Sequence, residues 1–147
     1  MRKLTKQEER RKAKYPTTAT FMYYNANPKG KITSDCVIRA LSCGLNKDYN
    51  EVLDELVAMQ KKTGLMLNDK ALYEKYLKKL GYEKQLQPRR VDGTKYTGNE
   101  FAKFMKGVVI ARIGGHHITV IKYGQIMDTW NCGNKCVGNY WHIKGDI

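Results

Sequence analysis

Three side chains in this sequence have the types and order that nucleophilic acyl chemistry uses: Cys36, His117 and Asp128. A thiol attacks a carbonyl only as thiolate, and the unpaired N–H groups at the head of a helix favour that form. An imidazole beside the sulfur holds it as thiolate and later protonates the leaving group, while a carboxylate fixes the ring's tautomer. The long separation of Cys and His along the chain is no obstacle, because such partners meet in space.

Local pattern places each of the three. "NANPKGKITSD", residues 25–35, is turn-rich, and "CVIRALSCGL" begins abruptly after it with Val37, Ile38, Ala40, Leu41 and Leu45 at helical spacing. Ser34 or Asp35 is the expected N-cap, which puts Cys36 in the first turn. Cys43, two turns on, is expected to be inert packing. In "HHITVIKYGQIMDTW", residues 116–130, Tyr123-Gly124 is the expected two-residue hairpin turn. Lys122 then faces Gln125 and Thr119 faces Asp128, with His117 on that same face and diagonal to Asp128. His116 points to the other face and becomes the base only if the register slips by one. His142 is assigned a structural role.

The elements that position these residues fall in two blocks. Residues 1–14, "MRKLTKQEERRKAK", hold seven Lys or Arg and two Glu, and read as a mobile basic arm ahead of a single domain over residues 15–147. "FMYY" is a short strand candidate. Asp48 with Glu51 opens a helix that Gly64 closes, a second runs from about Asn68 to Leu80, and Thr97 with Glu100 caps a short one that stops at Gly107. From there "VVIARI", "HITVIKY", "QIMDTW" and "VGNYWHI" are β-branched and aromatic-rich. Helices first and strands last predict an α+β fold, with N-terminal helices packed on one face of a C-terminal antiparallel sheet.

A Cys heading a central helix, a later His heading a strand and an acid on the next strand resemble the papain-like cysteine peptidases. "DCVIRAL" is similar to that family's Cys-helix without its Cys-Gly-Ser-Cys-Trp signature, and "MDTW" is similar to its Asn-Ser-Trp segment, with Asp128 in the place of Asn. Residues 21–143 together also resemble small papain-like proteins of tailed bacteriophages. The resemblance implies a papain-like core, a thioester intermediate, cleavage of an amide or isopeptide bond in a protein or peptide, and Trp130 as the aromatic that shields the His–Asp pair. It also implies a Gln before the Cys to help hold the oxyanion. Position 30 is Gly, so Asn25 or Asn27 is left for that role, with Asn27 preferred; one such donor is worth ~2.7–4 kcal/mol.

Composition narrows the partners. No apolar run approaches the length of a membrane helix and the N-terminus lacks a signal-peptide core, so a cytoplasmic protein is expected, in the host cytoplasm if phage-encoded. The four cysteines are then expected as thiols. "CGNKC", Cys132–Cys136, lacks a second ligand pair, so neither metal nor cofactor is expected. A formal charge of +13 favours non-specific attraction to nucleic acid or acidic proteins. Two functions follow as expectations: a cysteine hydrolase, with acyl transfer as its nearest neighbour, or a catalytically idle papain-like module that binds an acidic host protein or nucleic acid.

Overall fold

The C-terminal β-rich runs form one sheet with a strand borrowed from the N-terminal half. A computed structural model describes residues 2–144. Met1, assigned above to the arm, and 145–147, assigned to the end of the domain, lie outside the described residues. The strands are β1 (Phe21–Tyr23), β2 (Val108–Ile113), β3 (His117–Lys122), β4 (Gln125–Asp128) and β5 (Val137–Lys144), in the spatial order β1-β4-β3-β2-β5. The helices are α1 (Lys6–Lys14), α2 (Cys36–Leu45), α3 (Tyr49–Thr63), α4 (Lys70–Lys79) and α5 (Gly98–Phe104). The fold is α+β.

The hairpin takes the expected register, with Lys122 opposite Gln125 and Ile121 opposite Ile126. Tyr123 and Gly124 both have positive φ, at 50° and 86°, as a turn of matched twist requires. The sheet departs from the purely antiparallel expectation at one edge: β1 pairs parallel with β4, Tyr23 opposite Asp128. A parallel pair needs a long crossover, and α2 to α5 with β2 and β3 supply it.

Helices cover both faces, not one. Ile110, Ile118, Val120 and Trp141 pack with α2, α3 and α4, while Val109, Ala111, Ile113, Ile121 and Ile126 pack with Phe101 and Ala102 of α5 and with Phe21. The cause lies in "VVIARI": a strand apolar at nearly every position must be buried on both sides. Helix α2 is itself enclosed, with every residue from Val37 to Gly44 buried. Gly44 lets it approach β2, since a Cβ there would stand 2.5 Å from Ile110 Cδ1.

The N-terminal segment is not an arm without structure. Thr5 and Glu8 form a reciprocal capping box at the head of α1, and the Glu8 side chain is fully buried. Its carboxylate accepts from Arg2 Nη1 and Nη2, at 2.6 and 3.0 Å, from the Tyr23 hydroxyl at 3.0 Å and from Asn25 Nδ2 at 3.1 Å. A composition-based reading sees only the charge of this segment, whereas the buried Glu8 carboxylate, through Tyr23 and Asn25, ties it to β1 and the loop that follows.

Candidate active site

Cys36 is the first residue of α2 and is half-buried. Asp35 occupies the N-cap position but makes no capping hydrogen bond. Its carboxylate accepts instead from Arg39 Nε at 2.7 Å, the Tyr49 hydroxyl at 2.8 Å and Asn27 Nδ2 at 3.0 Å. The first N–H groups of α2 are therefore free of a side-chain cap and point their partial positive charge at the Cys36 end.

His117 heads β3, and its Nε2 lies 2.7 Å from Asp128 Oδ2. With Nε2 so engaged, Nδ1 is the ring nitrogen that Asp128 leaves available, and Cys36 lines the same cleft as the ring, close enough for each to shift the other's titration. Burial pushes the Cys36 thiol up. The His117 contact, the Ile118 backbone N–H and the charges of His117 and Arg39 outweigh it, so the thiol titrates below its ordinary range. For His117 burial acts downward, and the hydrogen bonds to Asp128, Cys132 and Cys36 with the Asp128 charge reverse it, raising the imidazole to about 11. Both shifts favour a thiolate–imidazolium pair.

Asp128, at the end of β4, is 2% exposed. Oδ2 accepts from His117 and from Thr119 Oγ1 at 2.7 Å, and Oδ1 accepts from Arg39 Nη1 at 2.8 Å and from the Thr129 N–H at 2.7 Å. Burial disfavours the carboxylate, but His117 and Arg39 more than offset that and hold it at about 2. The Trp130 and His117 rings meet nearly at right angles, with centroids 4.9 Å apart and planes at 71°. His116 is exposed in the β2–β3 turn. Neither ring nitrogen of His142 has a hydrogen-bond partner among the described residues.

Asn27 is not brought to the sulfur. Its Nδ2 is donated to Asp35 and its Oδ1 accepts the Lys29 N–H, so it braces the N-cap carboxylate in place of an oxyanion. Asn25 is likewise committed, to Glu8 and the Lys31 carbonyl. The cleft over the sulfur, about 420 Å³, is lined by Cys36, His117, Trp130, Ser34, Asn68 and Arg11, among others. Asn68 donates weakly to the Ser34 carbonyl at 3.3 Å and is an amide that does face this space. A larger hollow of about 780 Å³ lies against α4 and Trp141, away from the thiol.

Three groups at the site escaped the sequence reading. Arg39 bridges Asp35 and Asp128; its signal is the lone charge in an otherwise apolar helix, three residues after Cys36. Thr119 was placed on the right face but given no role. Cys132, read as an incidental loop thiol, is 1% exposed and in contact with the His117 ring.

His117, Asp128 and Cys132 offer ligand atoms that all lie within 4.8 Å of one another. A cation there would meet the Arg39 guanidinium across an Asp128 carboxylate that already accepts four hydrogen bonds, so the set is poorly disposed to metal. No helix among the described residues is long and apolar enough to cross a membrane. Protein-family models, curated proteins and solved structures yield no match to this chain, which leaves the geometry to carry the functional argument.

Proposed function

We propose that the chain is a papain-like cysteine hydrolase acting on an amide or isopeptide bond of a protein or peptide. The observation that carries this reading is the convergence on one cleft of Cys36, at the head of α2, and His117, whose Nε2 lies 2.7 Å from Asp128 Oδ2. The Cys36 thiolate attacks the carbonyl carbon, and the helix-end N–H of Cys36 stabilises the oxyanion. His117 gives its Nδ1 proton to the leaving amine as the C–N bond breaks, leaving a thioester. Water then attacks that thioester, His117 takes its proton, and the acid departs with the thiol restored. An amine in the place of water makes the same site a transferase.

A second reading, a catalytically idle module that binds acidic proteins or nucleic acid, is favoured by the net charge of +13 and by the engagement of Asn27 away from the sulfur. Iodoacetamide at pH 6 separates the two. Selective alkylation of Cys36, lost in His117→Ala, supports the hydrolase. Equal or slower labelling of Cys36 relative to exposed Cys136 overturns it.

A further inference from the structure

Helix α1 contributes one side chain to the cleft. Glu8 is the only buried residue of this helix, and residues three apart share a helical face, so pinning Glu8 also orients Arg11. Arg11 is half-buried and lines the space above Cys36 and beside Trp130. Within that cleft the two guanidinium groups differ. Arg39 is neutralised by Asp35 and Asp128, whereas no carboxylate among the described residues forms an ion pair with Arg11. No Asp or Glu lines the cleft.

We infer that Arg11 is a specificity residue: it pairs with a carboxylate of the substrate, and the cleft selects acidic peptide segments. The inference rests on the cysteine-hydrolase reading for what happens after binding, but the recognition itself needs no thiol chemistry. Planar guanidinium binds carboxylate through two parallel hydrogen bonds, and a position that excludes part of the solvent strengthens the pair over its value on an open surface. The anchoring of α1 fits this role. A basic helix held to Tyr23 and Asn25 through one buried acid has lost the freedom of a non-specific tail, and the side chain it presents to the cleft is a cation without a carboxylate partner among the described residues. A single-stranded nucleic acid is the less suitable occupant, because the cleft holds one guanidinium without a carboxylate partner, whereas a groove that tracks a phosphate backbone needs a run of cations.

The test uses the full chain carrying Cys36→Ala, so that binding is read without turnover. End-blocked pentapeptides with a central glutamate or glutamine are titrated while the Trp130 indole resonance is followed. The glutamate peptide is expected to bind about 5- to 10-fold tighter, the size of one half-buried ion pair. The preference should vanish in Arg11→Ala, invert in Arg11→Glu and largely return in Arg11→Lys. Equal binding of the two peptides, or a preference that Arg11→Ala leaves intact, overturns the inference. Tighter binding of a short single-stranded oligonucleotide through Arg11 overturns it as well. A glutamate preference alongside a Cys36 that resists iodoacetamide in the unsubstituted protein would instead remove the hydrolase reading and leave the acidic-segment cleft standing.

Discussion

Arg39 Nη1 donates to Asp128 Oδ1 at 2.8 Å while its Nε donates to Asp35 Oδ1 at 2.7 Å. One cation thus ties the N-cap of α2 to the carboxylate that meets the His117 ring, Arg39 and Asp128 being 89 residues apart in sequence. Both carboxylates and the guanidinium are nearly withdrawn from solvent, with side-chain exposures of 10%, 6% and 2% for Arg39, Asp35 and Asp128. The attraction therefore acts in a medium that screens poorly, and its loss leaves buried Asp35 without a cation and Asp128 with His117 alone. Arg39→Met should cost about 3–5 kcal/mol, the usual penalty for breaking a buried pair from one side. Urea melts check this. Adding Asp35→Asn to Arg39→Met should recover part of the loss, and a purely additive further loss would contradict the charge argument.

The opposed shifts of Cys36 and His117 set a pH profile. Alkylation of Cys36 rises with pH as the thiolate forms, and the shift is downward, so the ascending limb should lie below the ordinary thiol range. The proposed hydrolysis also requires the protonated ring, so it should decline only as His117 loses its proton at about 11. Asp128→Asn removes the charge that stabilises the imidazolium. The ascending limb should move to higher pH, and the reaction of Cys36 with iodoacetamide at pH 6 should slow by about tenfold or more, since one pKa unit is a factor of ten in thiolate at low pH. Rates measured from pH 4 to 9 decide it.

The site's legibility follows the range of the interactions. The hairpin register was readable because period two and a Tyr-Gly turn are local, and together they put His117 and Asp128 on one face before any tertiary contact is known. Cys36 was readable because a turn-rich loop gives way to an apolar helical run at that residue. Arg39 was not, since its partner Asp128 lies in another element and the spacing around it describes only a core helix. Asn27 stands near Cys36 in sequence, but the direction of its amide depends on Asp35 and Tyr49. The parallel placement of β1 likewise depends on where the crossover lands, which composition does not encode, whereas the second covered face has a local signal in the nearly continuous apolar run "VVIARI". Glu8 looked like one charge among many because burial is decided by Tyr23, Asn25 and Arg2 jointly.

Anchoring by Glu8 makes the N-terminal segment part of the folded unit. Deleting residues 1–14 or substituting Glu8→Ala strands the Tyr23 hydroxyl and the Asn25 amide. Glu8→Ala is expected to cost about 2–3 kcal/mol, roughly 5–10 °C in Tm for a domain of this size. The pH dependence has a definite sign. Hydrogen bonding from Arg2 comes first among the causes that hold Glu8 down to about 2, against burial that acts upward; Asp128 is likewise held at about 2. Carboxylates depressed in the folded state contribute stability that is complete above their unfolded values near ~4 and is lost as pH falls toward the folded ones. Tm should be level down to about pH 4.5 and drop steeply from ~4 to ~2, and Glu8→Gln should flatten part of that drop. A Tm unchanged by the deletion would mean the segment is not held.

Two thiols lie near the same imidazole, Cys132 with its sulfur within 4.8 Å of a ring nitrogen and Cys36 across the shared cleft, and their environments assign them different chemistry. Cys36 sits at a helix head, opens to a cleft and is lowered on balance. Cys132 is 1% exposed, and burial, aided by the Asp128 charge, raises its thiol despite the His117 contact. A proton on His117 acts to lower both thiols, and burial with the Asp128 charge outweighs it at Cys132 alone. Cys132→Ala should keep rapid labelling of Cys36 by iodoacetamide at pH 6, with a stability cost of about 1–2 kcal/mol for the small cavity left beside the ring. Cys36→Ala should abolish that labelling without transferring it to Cys132. Mass mapping of the alkylated peptide distinguishes these outcomes, and rapid modification of Cys132 in either protein would contradict the assignment of Cys36 as the only activated thiol beside His117.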